Sequence, residues 1–416
     1  MKILVVGAGM QAHAVCYDLV RQQDVDEVRV ADVDAAHLAE LKRAVGSPKL
    51  RTFRADASDE KRMAELMKPC AVAVSCVPYF FNLGLTRAAI ATKTHFCDLG
   101  GSNTVVDEQM LLGAAAQRAG VSVVPDCGLA PGMVSILAAD GFVRLDKTEA
   151  IHLRVGGLPR HPKPPLNYGL VFSPNGLINE YVEPCLVIRN RKMTLAEPLA
   201  DLEEMGFAEK SHGSTTRTKA ESGTGRKKWL FGNLEAFNTS GGTSRLPLTF
   251  AGCVKTLDYK TIRYPGHCAL VRLLYELGLT SMKPVNVDGQ QVVPRRLLIQ
   301  RLEAVLPAER DDVVLLRVLV KGVRKGRPKT ICYELVDYAD RRTGLTAMMR
   351  TTGFSAAVVA LLLARGQVPV QGVFTGENGV PPDKFIAEFL KRGMALRTTG
   401  RRRKSPSPLT LRRSSL

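Results

Sequence analysis

The chain has 416 residues, 45% of them hydrophobic, and carries 58 Lys and Arg against 40 Asp and Glu, a formal net charge of +18. That length has room for two domains. It contains no run of about 18 apolar residues and no basic, apolar and small-residue leader at its start, so neither a membrane span nor secretion is expected and a cytoplasmic location is.

The excess charge is local: +7 between Ala395 and Leu416, and +4 between Met205 and Trp229. Both stretches are polar and low in complexity. They predict a flexible insertion at 205–229 and a disordered basic tail at 394–416, not a folded nucleic-acid groove. The nine cysteines are scattered, with no Cys-x-x-Cys pair. They fit free thiols in a reducing compartment and give no metal site.

Taken in chain order, Lys2–Val6 is an apolar strand that ends in Gly7-Ala8-Gly9-Met10-Gln11-Ala12 and runs into a helix over Gln11–Val20. A second strand, Glu27–Ala31, delivers Asp32. This is a Gly-x-Gly-x-x-Ala turn followed by an acid at the end of the next strand. Gly7 permits the turn, Gly9 lets backbone N–H groups approach a pyrophosphate, and Ala12 lets helix and strand pack closely. Asp32 would accept the adenosine ribose hydroxyls and repel a 2′-phosphate, with Val33 beside it, so the expected cofactor is NAD. Further strands at Leu50–Arg54, Ala71–Ser75, His95–Asp98 and Val121–Pro125 alternate with helical stretches. They predict an α/β, Rossmann-type doubly wound parallel sheet over residues 1–125.

Beyond Ala130-Pro131-Gly132 the pattern changes. Strands at Ile151–Gly156 and Val254–Ile262, a helix start at Ser173-Pro174, and a hairpin joining Val313–Val320 to Lys329–Tyr338 predict a second α+β domain with a mixed sheet over 126–349. Thr351–Arg365 is apolar on every side and Phe385–Lys391 is helical, so residues 350–393 are expected to return and cover the first domain.

Ligands of open α/β sheets bind beyond the carboxyl ends of the strands. There Asp56-Ala57 would border adenine, and Cys76-Val77-Pro78 would flank the nicotinamide-side ribose. Tyr79 faces the substrate or sits at the rim. Asp98 and Asp126 are carboxylates beside the expected nicotinamide; either acts on a proton or stabilises its own turn. Gly128 lies in the turn after the sixth strand. From the second domain, Arg263 or Lys260 would suit a substrate carboxylate, and Lys260 is also a candidate base. Ser240 and His267 complete the set, His267 being equally suited to packing at a helix start.

Together Gly7–Gly9 with Asp32, Asp98-Leu99-Gly100-Gly101, Ala130-Pro131-Gly132-Met133, Pro164–Tyr168, Val187–Asn190, Thr239–Ser244 and Tyr259–Arg263 with Gly266-His267 resemble the saccharopine dehydrogenase superfamily. Within it they are most similar to the NAD-dependent lysine 6-dehydrogenases. The resemblance covers residues 1–393. It implies a homodimer or higher homo-oligomer that takes a small amino-acid substrate and oxidatively deaminates the ε-amino group of L-lysine to the 6-semialdehyde, releasing ammonia. Two alternatives stand beside it: cleavage of a secondary amine, as in saccharopine or carboxynorspermidine metabolism, and a non-catalytic NAD-binding protein with a basic tail.

Overall fold

The computed structural model describes residues 1–171, 173–208 and 229–399. The chain begins β1 (Lys2–Val6), α1 (Met10–Leu19), β2 (Glu27–Asp32), α2 (Ala35–Val45), β3 (Leu50–Arg54), α3 (Glu60–Met67), β4 (Val72–Ser75), α4 (Asn82–Thr92), β5 (His95–Asp98), α5 (Asn103–Leu111), α6 (Gly113–Ala119) and β6 (Ser122–Val124). These strands pair in parallel in the order β6-β5-β4-β1-β2-β3. Alternation along β1 sends Ile3 and Val5 into one apolar cluster and Leu4 and Val6 into another. The first is covered by α1 and α2, the second by α3, α4 and α6. A strand apolar on both faces needs both coverings.

α7 (Met133–Val143) leads to β7 (Lys147–Pro159), α8 (Pro174–Val182), β8 (Cys185–Arg189), β9 (Lys192–Ala196), β10 (Glu203–Ala208) and β11 (Trp229–Asn238). Then come α9 (Leu246–Phe250), β12 (Thr256–Arg263), α10 (His267–Glu276), the exposed hairpin β13 (Val285–Val287) and β14 (Gln290–Val292), α11 (Pro294–Val305), β15 (Asp312–Arg324) and β16 (Arg327–Tyr338). Among the described residues the second sheet has nine strands with the path β10-β11-β12-β7-β15-β16-β18, the last being Arg397–Thr398, and β8 and β9 branch from β12. Only β12 and β7 pair in parallel, so the sheet is mixed. The β15–β16 hairpin turns on Lys325 and Gly326, both at positive φ (51° and 70°), the two-residue geometry that suits the strand twist. It is longer at both ends than its apolar runs suggest.

The expected flexible insertion begins later than its composition implies. Met205 to Ala208 belong to β10, where Phe207 is buried, and Trp229 opens β11. The rest of that insertion, and the basic tail beyond Thr399, lie outside the described residues.

α12 (Ala347–Ala364) returns against α1, β4, β5 and β15. Its length and composition would also suit a membrane span, yet residues 353–363 are all buried inside the protein. Gly353 makes the fit possible, because a Cβ there would lie 2.6 Å from the Ala14 Cβ. Buried Asp312 caps this helix, accepting the N–H groups of Ala347 (2.5 Å) and Met348 (2.8 Å). β17 (Gly372–Val373) then adds to the first sheet in parallel beside β6, giving it seven strands. α13 (Gly376–Gly379), α14 (Pro382–Lys391) and β18 (Arg397–Thr398) end the described chain. One apolar core runs from α1 through α12 and α7 to the strands β7, β15 and β16, which fixes the two sheets against each other.

Candidate active site

At the carboxyl end of β1, Gly7 has φ 100°, and a Cβ there would lie 3.0 Å from the Cys76 carbonyl group. Only glycine lets the turn pass so close to the 76–78 segment. Gly9 stands at the head of α1 with open space where a side chain would be, and no side chain caps the helix. The free N–H groups of that first turn are what a pyrophosphate needs. Met10 is exposed, and the Gln11 Oε1 is buried without a partner. The Asp32 carboxylate sits over this loop, accepting from the Ala8 N–H (2.7 Å) and the Asp34 N–H (2.8 Å). Val33 is 61% exposed at the rim. Asp56 is bound up in its own turn, accepting the Ser58 N–H at 2.8 Å, which holds its carboxyl below the usual range. Ala57 and Val77 pack against the neighbouring core, and burial raises the Cys76 thiol. Pro78 precedes a single helical turn at Tyr79–Phe81. This arrangement fits a nicotinamide dinucleotide: a glycine cradle that a Cβ would fill, an open helix terminus and an acid at the end of the second strand.

The two candidate acids differ sharply. Asp98 is fully buried and fully engaged. Its Oδ1 accepts from Gly100 N (2.8 Å) and Asp126 N (3.1 Å), and its Oδ2 from Gln109 Nε2 (2.8 Å). It shapes the two turns that carry Gly100, Gly101 and Asp126. Asp126 itself is held at φ 60°, with its Oδ1 where a Gly100 Cβ would be and its Oδ2 accepting the Ser244 hydroxyl. Burial, reinforced by the charges of Asp98 and Glu377 and opposed by the Ser244 bond, pushes its carboxyl up to about 7. A carboxyl poised there is suited to exchanging a proton near neutral pH. Gly128 lies buried in the following turn, beneath Thr352 of α12.

Across the seam, Arg263 ends β12 and is buried. Its Nε donates to the Tyr181 hydroxyl (3.0 Å), its guanidinium lies 4.8 Å from the Tyr168 ring centre, and Glu180 is 3.9 Å away. The Tyr181 hydroxyl in turn donates to His267 Nε2 (3.0 Å), whose other ring nitrogen donates to the Leu166 carbonyl (2.9 Å). Burial and the Arg263 charge press His267 down to about 3, so it is neutral and serves to hold Tyr181. Glu235 fixes the whole corner by accepting the N–H groups of Gly266 (3.0 Å) and Cys268 (2.6 Å) at the head of α10. Glu180, 28% exposed at the side chain, is pushed up to about 7 by burial against the opposing pull of Arg263.

Lys260 does not join this group. Three positions from Arg263 on one strand, it points to the opposite face, where its Nζ donates to Glu203 Oε2 (2.8 Å) and the Asp201 carbonyl (2.6 Å). Ser240 ties its loop to α8 through the Glu180 carbonyl (N–H, 2.9 Å) and the Asn179 carbonyl (hydroxyl, 3.2 Å). The loop from Ser240 to Ser244 therefore has one end on the Arg263–Glu180 pair and the other on Asp126. Four residues span at most about 14 Å, so this loop links the Glu180 turn of α8 to the Asp126 turn over a short distance. Tyr79 packs on Gly101, where a Cβ would be 3.0 Å from its ring. Glu180, Tyr181 and Ser244 take parts that sequence reasoning did not assign to them.

Similarity to known proteins bears on the family and the fold. A family model described as the saccharopine dehydrogenase NADP binding domain matches residues 3–124, and the saccharopine dehydrogenase C-terminal domain model matches residues 128–394. The chain is 22% identical to the carboxyaminopropylagmatine dehydrogenase of Synechocystis sp., over 94% of this chain and 96% of that one. It is 25% identical to the NADP(+), L-glutamate-forming saccharopine dehydrogenase of Schizosaccharomyces pombe, over 95% and 98%. It is also 22% identical to the mitochondrial alpha-aminoadipic semialdehyde synthase of Bos taurus, over 89% of this chain but only 45% of that one. The apo saccharopine dehydrogenase (L-Glu forming) of Saccharomyces cerevisiae shares the fold, with a TM-score of 0.73 at 20% identity over 95% of this chain and 99% of that one. With both of its domains matched by the same pair of models, the chain belongs to the saccharopine dehydrogenase family of nicotinamide-dinucleotide-dependent oxidoreductases that act on CH–NH bonds.

Proposed function

We propose that this enzyme uses NAD to oxidise a carbon–nitrogen bond in a secondary amine that bears an amino-acid head group. The buried Arg263, clamped by Tyr181 and paired with Glu180, carries the reading: it is a ready-made receptor for a carboxylate beside an ammonium. Arg263 binds the carboxylate, and ionised Glu180 takes the ammonium. Holding that remote end orients the reacting carbon. The secondary ammonium must lose a proton before hydride can leave, and Asp126 accepts it. The dinucleotide supplies the hydride acceptor. Water then hydrolyses the resulting imine to a carbonyl compound and a primary amine, with Asp126 returning the proton to the departing nitrogen.

A second reading, oxidative deamination of the ε-amino group of lysine, is favoured by one observation. Asp32 accepts main-chain N–H groups at the ribose position and would repel a 2′-phosphate, whereas the saccharopine dehydrogenase of Schizosaccharomyces pombe is named for NADP(+). The chemistry is the same with ammonia as the leaving amine. A panel of saccharopine, carboxynorspermidine, lysine and ornithine, each with NAD and with NADP, separates the readings by the absorbance of the reduced coenzyme. Turnover of a secondary amine with NAD is expected; turnover of lysine alone would select the second reading, and turnover of none would reject both.

A further inference from the structure

One end of the second sheet gathers cations that stand far apart in the sequence. The turns of the β8–β9 and β15–β16 hairpins both lie there, Asn190-Arg191 and Lys325-Gly326, each pair at positive φ. Main-chain groups join one turn to the other along the strand ends. Arg191 N donates to the Lys255 carbonyl (3.0 Å) and Lys255 N to the Glu149 carbonyl (2.8 Å). Asp146 N donates to the Val323 carbonyl (3.0 Å), and Lys325 N to the Asp146 carboxylate (2.6 Å). Lys147 is in register with Val323 on the neighbouring strand. The rim so formed holds Lys147, Arg191, Lys192 and Lys255, and the β15–β16 hairpin adds five more basic residues between Lys321 and Lys329. Only the carboxylates of Asp146 and Glu149 oppose them along these segments.

These nine cations are exposed, Arg324 partly so, and none of them has an ion pair among the described residues. Arg324 and Arg327 face each other directly across the hairpin, an arrangement of like charges that costs the fold stability. The strand that follows brings more charge to the same place. Thr398 pairs with Tyr333, and Thr399 N donates to the Cys332 carbonyl at 2.9 Å, so the chain leaves β18 antiparallel to β16 and directed at Lys329. The sequence then continues through Arg401-Arg402-Arg403-Lys404.

We propose that this rim is a docking surface for the phosphate backbone of a nucleic-acid duplex. From β16 across β15, β7 and β12 to the β8–β9 turn it extends four strand spacings, roughly 19 Å. A duplex carries one charge per about 1.7 Å of its axis, enough over that length to meet every cation of the rim. Between Lys321 and Lys329 there is no aromatic residue and no exposed large hydrophobic one. The hairpin therefore offers nothing to stack on an unpaired base and nothing to insert into a bilayer. The rim lies at the start of β12 and Arg263 at its end, roughly 23 Å away, so the surface is independent of the reaction assigned above.

Fluorescence anisotropy of a labelled mixed-sequence DNA duplex, titrated with the full-length protein across about 50 to 200 mM salt, tests it. Binding should weaken with salt, with a logarithmic slope of about −4 or steeper. The triple variant Arg324→Gln, Lys325→Asn and Arg327→Gln should weaken binding about tenfold or more and flatten the slope by about 3 units. The triple variant Arg191→Asn, Lys192→Gln and Lys255→Gln should do the same, whereas Arg324→Lys with Arg327→Lys should bind like the parent. Melting temperatures and NAD affinity should match the parent in all three. No duplex binding at the lowest salt, or binding unchanged in both charge-removing variants, as when Arg401 to Lys404 alone carry it, would overturn the proposal. Tighter binding to phosphatidylserine vesicles than to duplex at equal phosphate would overturn it in favour of a membrane surface.

Discussion

The Ser244 hydroxyl donates to the Asp126 carboxylate in the turn that follows β6 of the first sheet. Two further contacts repeat the arrangement nearby: Arg245 pairs with Asp107, and the Thr249 hydroxyl donates to Glu377 at 2.9 Å. The stretch from Ser244 to Thr249 is thus fastened at three points, to the turn after β6, to α5 and to α13, and its first fastening is made to the group to which the proposed reaction gives the proton.

If Asp126 takes that proton, kcat/KM should rise with pH through about 7, its position in the fold. The Ser244 bond lowers that value, so Ser244→Ala should move the acid limb to higher pH. Asp126→Asn should cost about 10²–10⁴-fold in kcat while coenzyme affinity is kept. A pH profile unchanged by Ser244→Ala would remove Asp126 from proton transfer.

Arg263→Gln should raise KM for the amino-acid substrate about tenfold or more, with a smaller effect on kcat, since a charge-assisted bond contributes roughly 1.5–3 kcal/mol. Glu180→Gln should act the same way and flatten the pH dependence of KM near 7, the position to which burial pushes Glu180. Steady-state kinetics with the best substrate of the panel checks both.

His267 gives a stability prediction with a definite sign. Its pKa falls from the ordinary 6.5 to about 3 in the fold, so the unfolded chain binds the proton that the native one refuses. Its contribution is fully present above pH 6.5 and fades as pH falls towards 3, by about 1.4 kcal/mol per unit. His267→Gln should therefore be less stable than the parent at pH 8, and the gap should shrink at pH 5 in urea unfolding. A gap independent of pH would show that His267 is not held neutral.

Gly100→Ala should damage both stability and activity. Its φ is 75°, and the added Cβ would fall 1.9 Å from Asp126 Oδ1. A fall in melting temperature together with loss of the acid limb near 7 is expected. Activity and pH profile like those of the parent would mean that Asp126 is placed otherwise.

The first domain was legible because short strands alternate regularly with helical stretches, so β1 to β5 lie within a residue of their expected bounds. β17 was not, since two residues carry no period and its pairing with β6 depends on a chain that returns after the whole second domain. The expected insertion starts at Met205 because the Gly-, Ser- and Lys-rich residues that follow set its composition, although Phe207 anchors β10 in a buried cluster. At the site, Arg263 and Lys260 could have been separated by alternation alone, as an odd spacing on one strand puts them on opposite faces. Glu180 left no such signal. Its pairing with Arg263 arises from where α8 packs against β12, which no local pattern encodes.

The account depends on NAD lying across the Gly7–Gly9 turn with its adenosine ribose on Asp32. Calorimetric titration of NAD and NADP into the parent protein and into Asp32→Ala tests it most directly. NAD should bind more tightly than NADP to the parent, and Asp32→Ala should weaken NAD about tenfold or more, the loss of hydrogen bonds to a charged acceptor. NAD affinity unchanged by that substitution, or no binding of either coenzyme to the parent, would contradict the account.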